Sequence, residues 1–313
     1  MTANVFNETA EGVYLITVTP FKDNGDLDLV STDRMVDFCL ERGVTGLTIL
    51  GIMGEATKLT AEESRQFVRQ VLARVQGKVP VVVGASAAGF APMSELTKSV
   101  MDMGAAGVMV APPASVRTDD QICGYFDMVT ETLGPDVPWC LQDHPTSTSV
   151  QMSAGVVLRI LKNSPTCVML KHEDFPGLAK LSAVRQAMEK GDLRKISILT
   201  GNGGGLFLPE ELVRGANGAM TGFAYPEMMI DVCNAYKAGD VERAFDIFDC
   251  YLPLAKYEQQ AGVGLAVRKH ILAQRGAIAS AAVRKPGPKL SALDLADIAR
   301  LTTRQEKKLA ALG

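Results

Sequence analysis

Histidine is scarce in this chain: His144, His172 and His270 are the three in 313 residues, none in a ligand-type cluster, which argues against a structural metal. The six cysteines, Cys39, Cys123, Cys140, Cys167, Cys233 and Cys250, lie far apart without a C-x-x-C pair and fall largely in apolar runs. Such spacing fits reduced core thiols rather than disulfide or metal roles. Positive charge is not concentrated either: 32 Lys and Arg are scattered among 35 Asp and Glu, for a net charge of −3, so no basic face for nucleic acid is expected. No run approaches the roughly 18 uncharged apolar residues of a membrane span. The opening "MTANVFNETAEG" has neither a positive n-region nor an apolar h-region, which points to a cytoplasmic protein. Internal repeats and low-complexity segments are missing as well.

What is present is material for a large core, with 47% hydrophobic residues. Short apolar runs recur at "GVYLITVTP" from Gly12, "GLTIL" from Gly46, "VPVVVGAS" from Val79, "GVMVAPP" from Gly107, "VPWCLQD" from Val137, "TCVMLK" from Thr166, "KISILTG" from Lys195 and "GAMTG" from Gly218. Between them lie helical patterns with recognisable starts, such as Thr60 with Glu63 and Thr118 with Gln121, each spaced as a capping box. Strands alternating with helices predict a parallel sheet, and about eight such units predict a closed (β/α)8 barrel over residues 10–228. No Gly-x-Gly-x-x-Gly turn follows the first strand, which weakens the dinucleotide-binding alternative. From residue 229 to 313 the pattern is helical, over Ile230 to Ala238, Val241 to Tyr257, Val263 to Arg275 and Leu293 to Leu312, and this region is expected to pack on the barrel.

The stretch "VMLKHEDFPG", Val168 to Gly177, ends an apolar strand on a lysine. In a barrel the C-terminal strand ends build the active site. Alternation places Met169, Lys171 and Glu173 on one face and Leu170 and His172 on the other, so Lys171 points into the barrel mouth. Burial disfavours its charged form; a shift from about 10.4 to about 7.5 costs roughly 4 kcal/mol, a penalty rarely retained without use. A neutral amine can form a Schiff base with a ketone. The competing readings are a lysine snorkelling to solvent or paired with Glu173.

Several stretches together resemble the dihydrodipicolinate synthase and N-acetylneuraminate lyase family of class I aldolases: "TVTPF" (Thr17 to Phe21), "GIMGEATKLTAEE" (Gly51 to Glu63), "VGASA" (Val83 to Ala87), "GAAGVMVAPP" (Gly104 to Pro113) and the lysine of "MLKHE". The resemblance runs from about Gly12 to Pro226. It implies a barrel, a homotetramer or homodimer, and a strand-six lysine, here Lys171, that condenses with pyruvate or another 2-oxo acid; the covalent Schiff base would serve in place of any cofactor, with no metal. The family's Gly-Thr-Thr-Gly-Glu loop matches Gly51, Gly54 and Glu55, with Ile52 and Met53 in place of the threonines, so backbone amides would face the substrate carboxylate. The family's relay tyrosine aligns with Gln142 of "LQDHP". Ser147 stands where dihydrodipicolinate synthases place an arginine, and Pro113 and Ala114 stand where they carry a paired tyrosine. The combination "QDHP", "LKHE", "GAMTGFAYP" and "LPLAKYEQQAG" is more similar to the branch of 2-keto-3-deoxy sugar-acid dehydratases.

Roles follow from chemistry and position. Glu173, two residues beyond Lys171, is the leading acid/base candidate, with a structural salt bridge as its alternative. Gln142 cannot titrate and would orient substrate or water. His144, after strand five, is a second proton carrier, whereas His172 and His270 read as structural. The turn in "LTGNGGGLF" is either a phosphate site or a bare wall beside a keto acid, with Asn202 near substrate hydroxyls. Thr221 and Gly222 are expected to line the pocket, and Tyr225 is a possible phenol donor. The expected activity is a Schiff-base lyase cleaving a C–C or C–O bond of a 2-oxo acid. The rivals are authentic 4-hydroxy-tetrahydrodipicolinate synthase, a non-catalytic ligand-binding barrel and a phosphate-substrate barrel.

Overall fold

The computed structural model describes residues 6–175 and 177–313. Eight parallel strands close in chain order: β1 (Gly12–Ile16), β2 (Gly46–Ile49), β3 (Val81–Gly84), β4 (Gly107–Val110), β5 (Trp139–Asp143), β6 (Cys167–His172), β7 (Ser197–Thr200) and β8 (Gly218–Ala219). Closure comes from Gly12 opposite Gly218 and Val13 opposite Ala219. Because side chains alternate along each strand, the sequence is split between two cores. Tyr14, Ile16, Val82, Met109, Cys140, Met169, Leu199 and Met220 fill the barrel interior, while Leu47, Val83, Leu141, Leu170 and Ile198 face the helices.

The helical coat is α1 (Leu29–Glu41), α2 (Ala61–Val75), α3 (Phe90–Asp102), α4 (Asp119–Leu133), the short α5 (Pro145–Thr148), α6 (Ala154–Asn163), α7 (Leu178–Glu189), α8 (Leu208–Val213) and α9 (Pro226–Lys237). Both expected capping boxes form, Thr60 with Glu63 at the start of α2 and Thr118 with Gln121 at the start of α4. Each satisfies N–H groups that the first helical turn leaves unpaired. The helix α9 begins four residues before the periodicity suggested, because Pro226 at its first position needs no N–H partner.

Of three further helices, α10 (Val241–Glu258) packs on α9, and α11 (Gly264–Gln274) and α12 (Ala292–Leu312) pack on α10. Between α11 and α12 the chain crosses back over the C-terminal end of the barrel. There the Arg284 guanidinium binds Glu63 and the carbonyls of Gly25 and Lys58, and the Arg284 backbone N–H donates to Glu55 Oε2 at 3.0 Å. The C-terminal region therefore roofs one side of the barrel mouth. No described helix is long and apolar enough to cross a membrane.

Candidate active site

A cavity of about 710 Å³ opens at the C-terminal face of the barrel. Lys171 reaches it from the inner face of β6, only 4% exposed, with Nζ 2.9 Å from Glu173 Oε1. Glu173 Oε2 accepts from Gln142 Nε2 at 2.7 Å, since the β5–β6 register sets Gln142 directly opposite Lys171. His144 Nδ1 lies 3.8 Å from Glu173 Oε1 and has no hydrogen-bond partner in the protein, while its Nε2 is 3.5 Å from Ser147 Oγ. Burial lowers the His144 pKa below 6.5, with Glu173 opposing and Lys171 reinforcing the shift. These four side chains form one contiguous group. The pairing of Lys171 with Glu173, the competing reading of this lysine, is therefore present, and it also sets a proton acceptor beside the amine.

Outside the barrel wall a second set of charges holds the two strand ends in register. Lys180 of α7 reaches Asp143 Oδ2 at 2.7 Å and Asp174 Oδ2 at 2.8 Å, and the Glu173 N–H donates to the Asp143 carbonyl at 2.9 Å. Burial raises the Asp143 pKa against the opposing pull of Lys180. His172 faces the helices as expected, its Nδ1 3.2 Å from Glu211 Oε1.

The loop after β2 divides into two parts. Gly51, Ile52 and Met53 line the mouth, and the amides of Ile52 and Met53 open a 3-10 turn, where N–H groups have no carbonyl within the turn to bond. Gly54 and Glu55 do not line it, which corrects the expectation for both. The Gly54 carbonyl accepts from Thr19 Oγ1 at 2.6 Å; Glu55, buried and left-handed at φ 55°, binds Lys269 Nζ at 2.6 Å and Lys58 Nζ at 2.9 Å. Burial pulls the Lys269 pKa down to about 8, with Glu55 opposing. Glu55 thus anchors α11 through Lys269 and, through the Arg284 backbone N–H, the C-terminal strap, residues 275–291 between α11 and α12, rather than serving as a substrate ligand.

Asn202 is likewise withdrawn: its Nδ2 donates to Glu211 Oε1 at 3.2 Å, behind β7. Tyr225 packs under the Arg275 guanidinium, 4.0 Å from its ring, and against Tyr251, away from the mouth. Both positions were expected to serve substrate because strand ends point there, but each side chain is captured by a helix partner instead. Thr221 and Gly222 do line the cavity.

The glycine-rich turn acts as a wall. A Cβ at Gly201 would sit 2.2 Å from Glu173 Cγ and 2.8 Å from Lys171 Cγ, so only glycine lets β7 approach the reactive pair this closely. The Gly204 and Gly205 amides are spent on the carbonyls of Gly222 and Asn202, which removes donors a phosphate site would use.

Residues from outside the barrel also line the mouth, and strand-end reasoning missed them: Glu258 and Gln259 at the end of α10, Arg268 of α11, and Pro286 and Pro288 of the strap. The available signals were "YEQQAG", part of the resemblance but given no role at the mouth, and two successive cations, Arg268 and Lys269, in the middle of a helix.

Barrels of this architecture carry out their chemistry at this face, and a buried amine beside a carboxylate there has the parts that a Schiff-base barrel lyase needs. Comparison with known proteins narrows the class. The model of the Dihydrodipicolinate synthetase family matches residues 9–303, so the chain belongs to that family of lyases. It is 30% identical to the L-2-keto-3-deoxyarabonate dehydratase of Azospirillum brasilense over 286 residues, 89% of each chain. It is also 30% identical over 248 residues to the 4-hydroxy-tetrahydrodipicolinate synthase of Pseudomonas putida, covering 78% of this chain and 82% of the other. A crystal structure described as dihydrodipicolinate synthase from Rhodopseudomonas palustris superimposes with a TM-score of 0.94 at 49% identity, covering 96% of this chain and 99% of that one.

Proposed function

We propose that the protein forms a Schiff base between Lys171 and a 2-oxo acid and removes water from a 2-keto-3-deoxy sugar acid. The observation that carries this reading is the buried contact of 2.9 Å between Lys171 Nζ and Glu173 Oε1 on the inner face of the barrel mouth. Glu173 takes a proton from the Lys171 ammonium, the free amine attacks the keto carbon, and the keto oxygen leaves as water to give an iminium. That cation draws electrons from the adjacent C3–H bond. Loss of the C3 proton to Glu173 forms an enamine, whose electrons return to expel the C4 hydroxyl, protonated as it departs. Hydrolysis of the iminium then frees Lys171 and an unsaturated 2-oxo acid.

Gln142 does not carry a proton; its 2.7 Å bond aims the Glu173 carboxylate. His144, its pKa lowered by burial, is the second relay: as a neutral imidazole it takes from Glu173 the proton removed from C3 and passes it to the leaving hydroxyl. The carboxylate of the substrate is assigned to the amides of Ile52 and Met53. No metal or separate cofactor enters the scheme. A cytoplasmic location and assembly with further copies of this chain, as a homotetramer or homodimer, belong to the same proposal.

Dehydration is preferred over condensation because the Azospirillum relative bears that name and because Ser147 offers no cation to an anionic second substrate. The second reading, 4-hydroxy-tetrahydrodipicolinate synthase, is favoured by the 49% identity to the Rhodopseudomonas structure. Borohydride reduction in the presence of pyruvate should attach pyruvic acid less one oxygen at Lys171; an unmodified Lys171 peptide across a panel of 2-oxo acids would refute the chemistry. Turnover of 2-keto-3-deoxy acids against aldehyde-plus-pyruvate pairs, with Lys171→Ala as control, decides between the two readings.

A further inference from the structure

Two residues from the C-terminal helices that line the mouth each hold a buried donor with nothing in the protein to bind. Arg268, 2% exposed, uses two of its guanidinium nitrogens internally: Nε donates to Glu258 Oε1 at 2.6 Å and Nη2 to the Gly222 carbonyl at 2.6 Å. Nη1 is buried and has no partner. The same holds for Gln259 Nε2, which stands against the glycine wall, 3.3 Å from where a Cβ of Gly204 would lie. Both residues line the cavity that contains Lys171. A donor removed from bulk water without a partner is costly, so two of them on one side of one cavity call for an acceptor.

The surroundings select which acceptor. The Arg268 charge is already neutralised by Glu258, itself fully buried and held by the Ala224 N–H at 3.0 Å. A further carboxylate brought to Nη1 would meet the Glu258 anion across a poorly screened distance. A hydroxyl accepts from Nη1 and from a neutral amide without that repulsion. Bare backbone lets both side chains pack this close to the mouth: a Cβ at Gly222 would fall 2.3 Å from Nη1, and one at Gly203 1.7 Å from Gln259 Oε1.

We propose that Arg268 Nη1 and Gln259 Nε2 form a subsite for the hydroxyl groups of the substrate, beyond its 2-oxo acid head. It rests on the Schiff-base reading and names what that site selects: a polyhydroxylated tail rather than a second carboxylate. The α10–α11 corner thereby determines specificity for a reaction whose chemistry lies on β5 and β6.

Pyruvate, which has the head and no tail, separates the two. For Gln259→Leu and Arg268→Lys, the half-saturating concentration for borohydride trapping is measured with pyruvate and with a five-carbon 2-keto-3-deoxy acid. Loss of one such hydrogen bond should raise the second value by about fivefold to tenfold relative to the first. A parallel shift of both values, or no shift in either, overturns the subsite. If Arg268→Lys misfolds, Gln259→Leu alone decides, since that half-buried side chain carries no charge pair. Failure of the unmodified protein to trap either acid counts instead against the Schiff-base reading.

Discussion

Replacing Gly201 by alanine tests the site without removing a single functional group. The glycine is not in a left-handed conformation, so alanine meets no backbone strain there, and the effect is one of space. The new methyl would lie 2.2 Å from Glu173 Cγ and 2.8 Å from Lys171 Cγ, whereas carbon atoms in contact need about 3.5 Å or more. Neither neighbour can yield freely: Lys171 is bonded to Glu173, and Glu173 is held by Gln142 at 2.7 Å. The pair must move by about 1 Å, a displacement that can cost 10²-fold in rate. Overpacking of this kind should also remove about 1–3 kcal/mol of stability, a shift of a few degrees in Tm. Single-turnover borohydride trapping and steady-state turnover read the first effect, and a thermal melt reads the second. Gly124→Ala, in α4 with nothing within 4 Å of the added methyl, is the control and should be neutral or slightly stabilising. Wild-type trapping rates in a folded Gly201→Ala protein would refute the claim that the glycine wall sets the geometry of the lysine.

Glu173→Gln should lower kcat by about 10²–10⁴-fold, as loss of a general acid–base group does; a decrease under tenfold in a pH-rate series would reassign the proton transfer to His144. Glu55→Ala strands the fully buried Lys269 ammonium and should cost about 3–5 kcal/mol in denaturant unfolding, and pairing it with Lys269→Met should recover much of that loss. If Glu55→Ala instead leaves stability intact and raises KM alone, the residue is a substrate ligand after all. The lowered pKa of His144 means that the unfolded chain binds a proton more readily than the native one, so its contribution to stability is present above about pH 6.5 and is lost as pH falls through its folded value. His144→Asn should flatten the decline in Tm between pH 7 and pH 5, measured against the wild type; an unchanged slope would place the proton uptake elsewhere.

The barrel was legible because its signal is repeated. Eight apolar runs alternating with capped helices admit few other folds, and the alternation around Met169, Leu170, Lys171 and His172 assigned each side chain to the interior or the helices. Helix boundaries followed from local chemistry, as at Thr60 and Thr118. The failures share a cause. Asn202, Tyr225, Gly54 and Glu55 stand at strand ends or in the loop after β2, where position alone suggests a role at the mouth, yet Glu211, Arg275, Thr19 and Lys269 draw them elsewhere. Those partners are distant in the chain or belong to helices whose orientation no local pattern encodes.

By itself the sequence determined the strand count, the face on which Lys171 lies and the chemistry open to an amine at that point, because side-chain alternation and strand–helix punctuation are local properties of the chain. Only the tertiary structure decided that Glu173 meets that amine while Gln142 and His144 gather on Glu173, and that Arg268 and Gln259 arrive from helices near residues 258–268 to complete the mouth. Convergence depends on the register between β5 and β6 and on where α10 and α11 dock, and both are settled by packing between segments that carry no mark of one another in the linear order of residues.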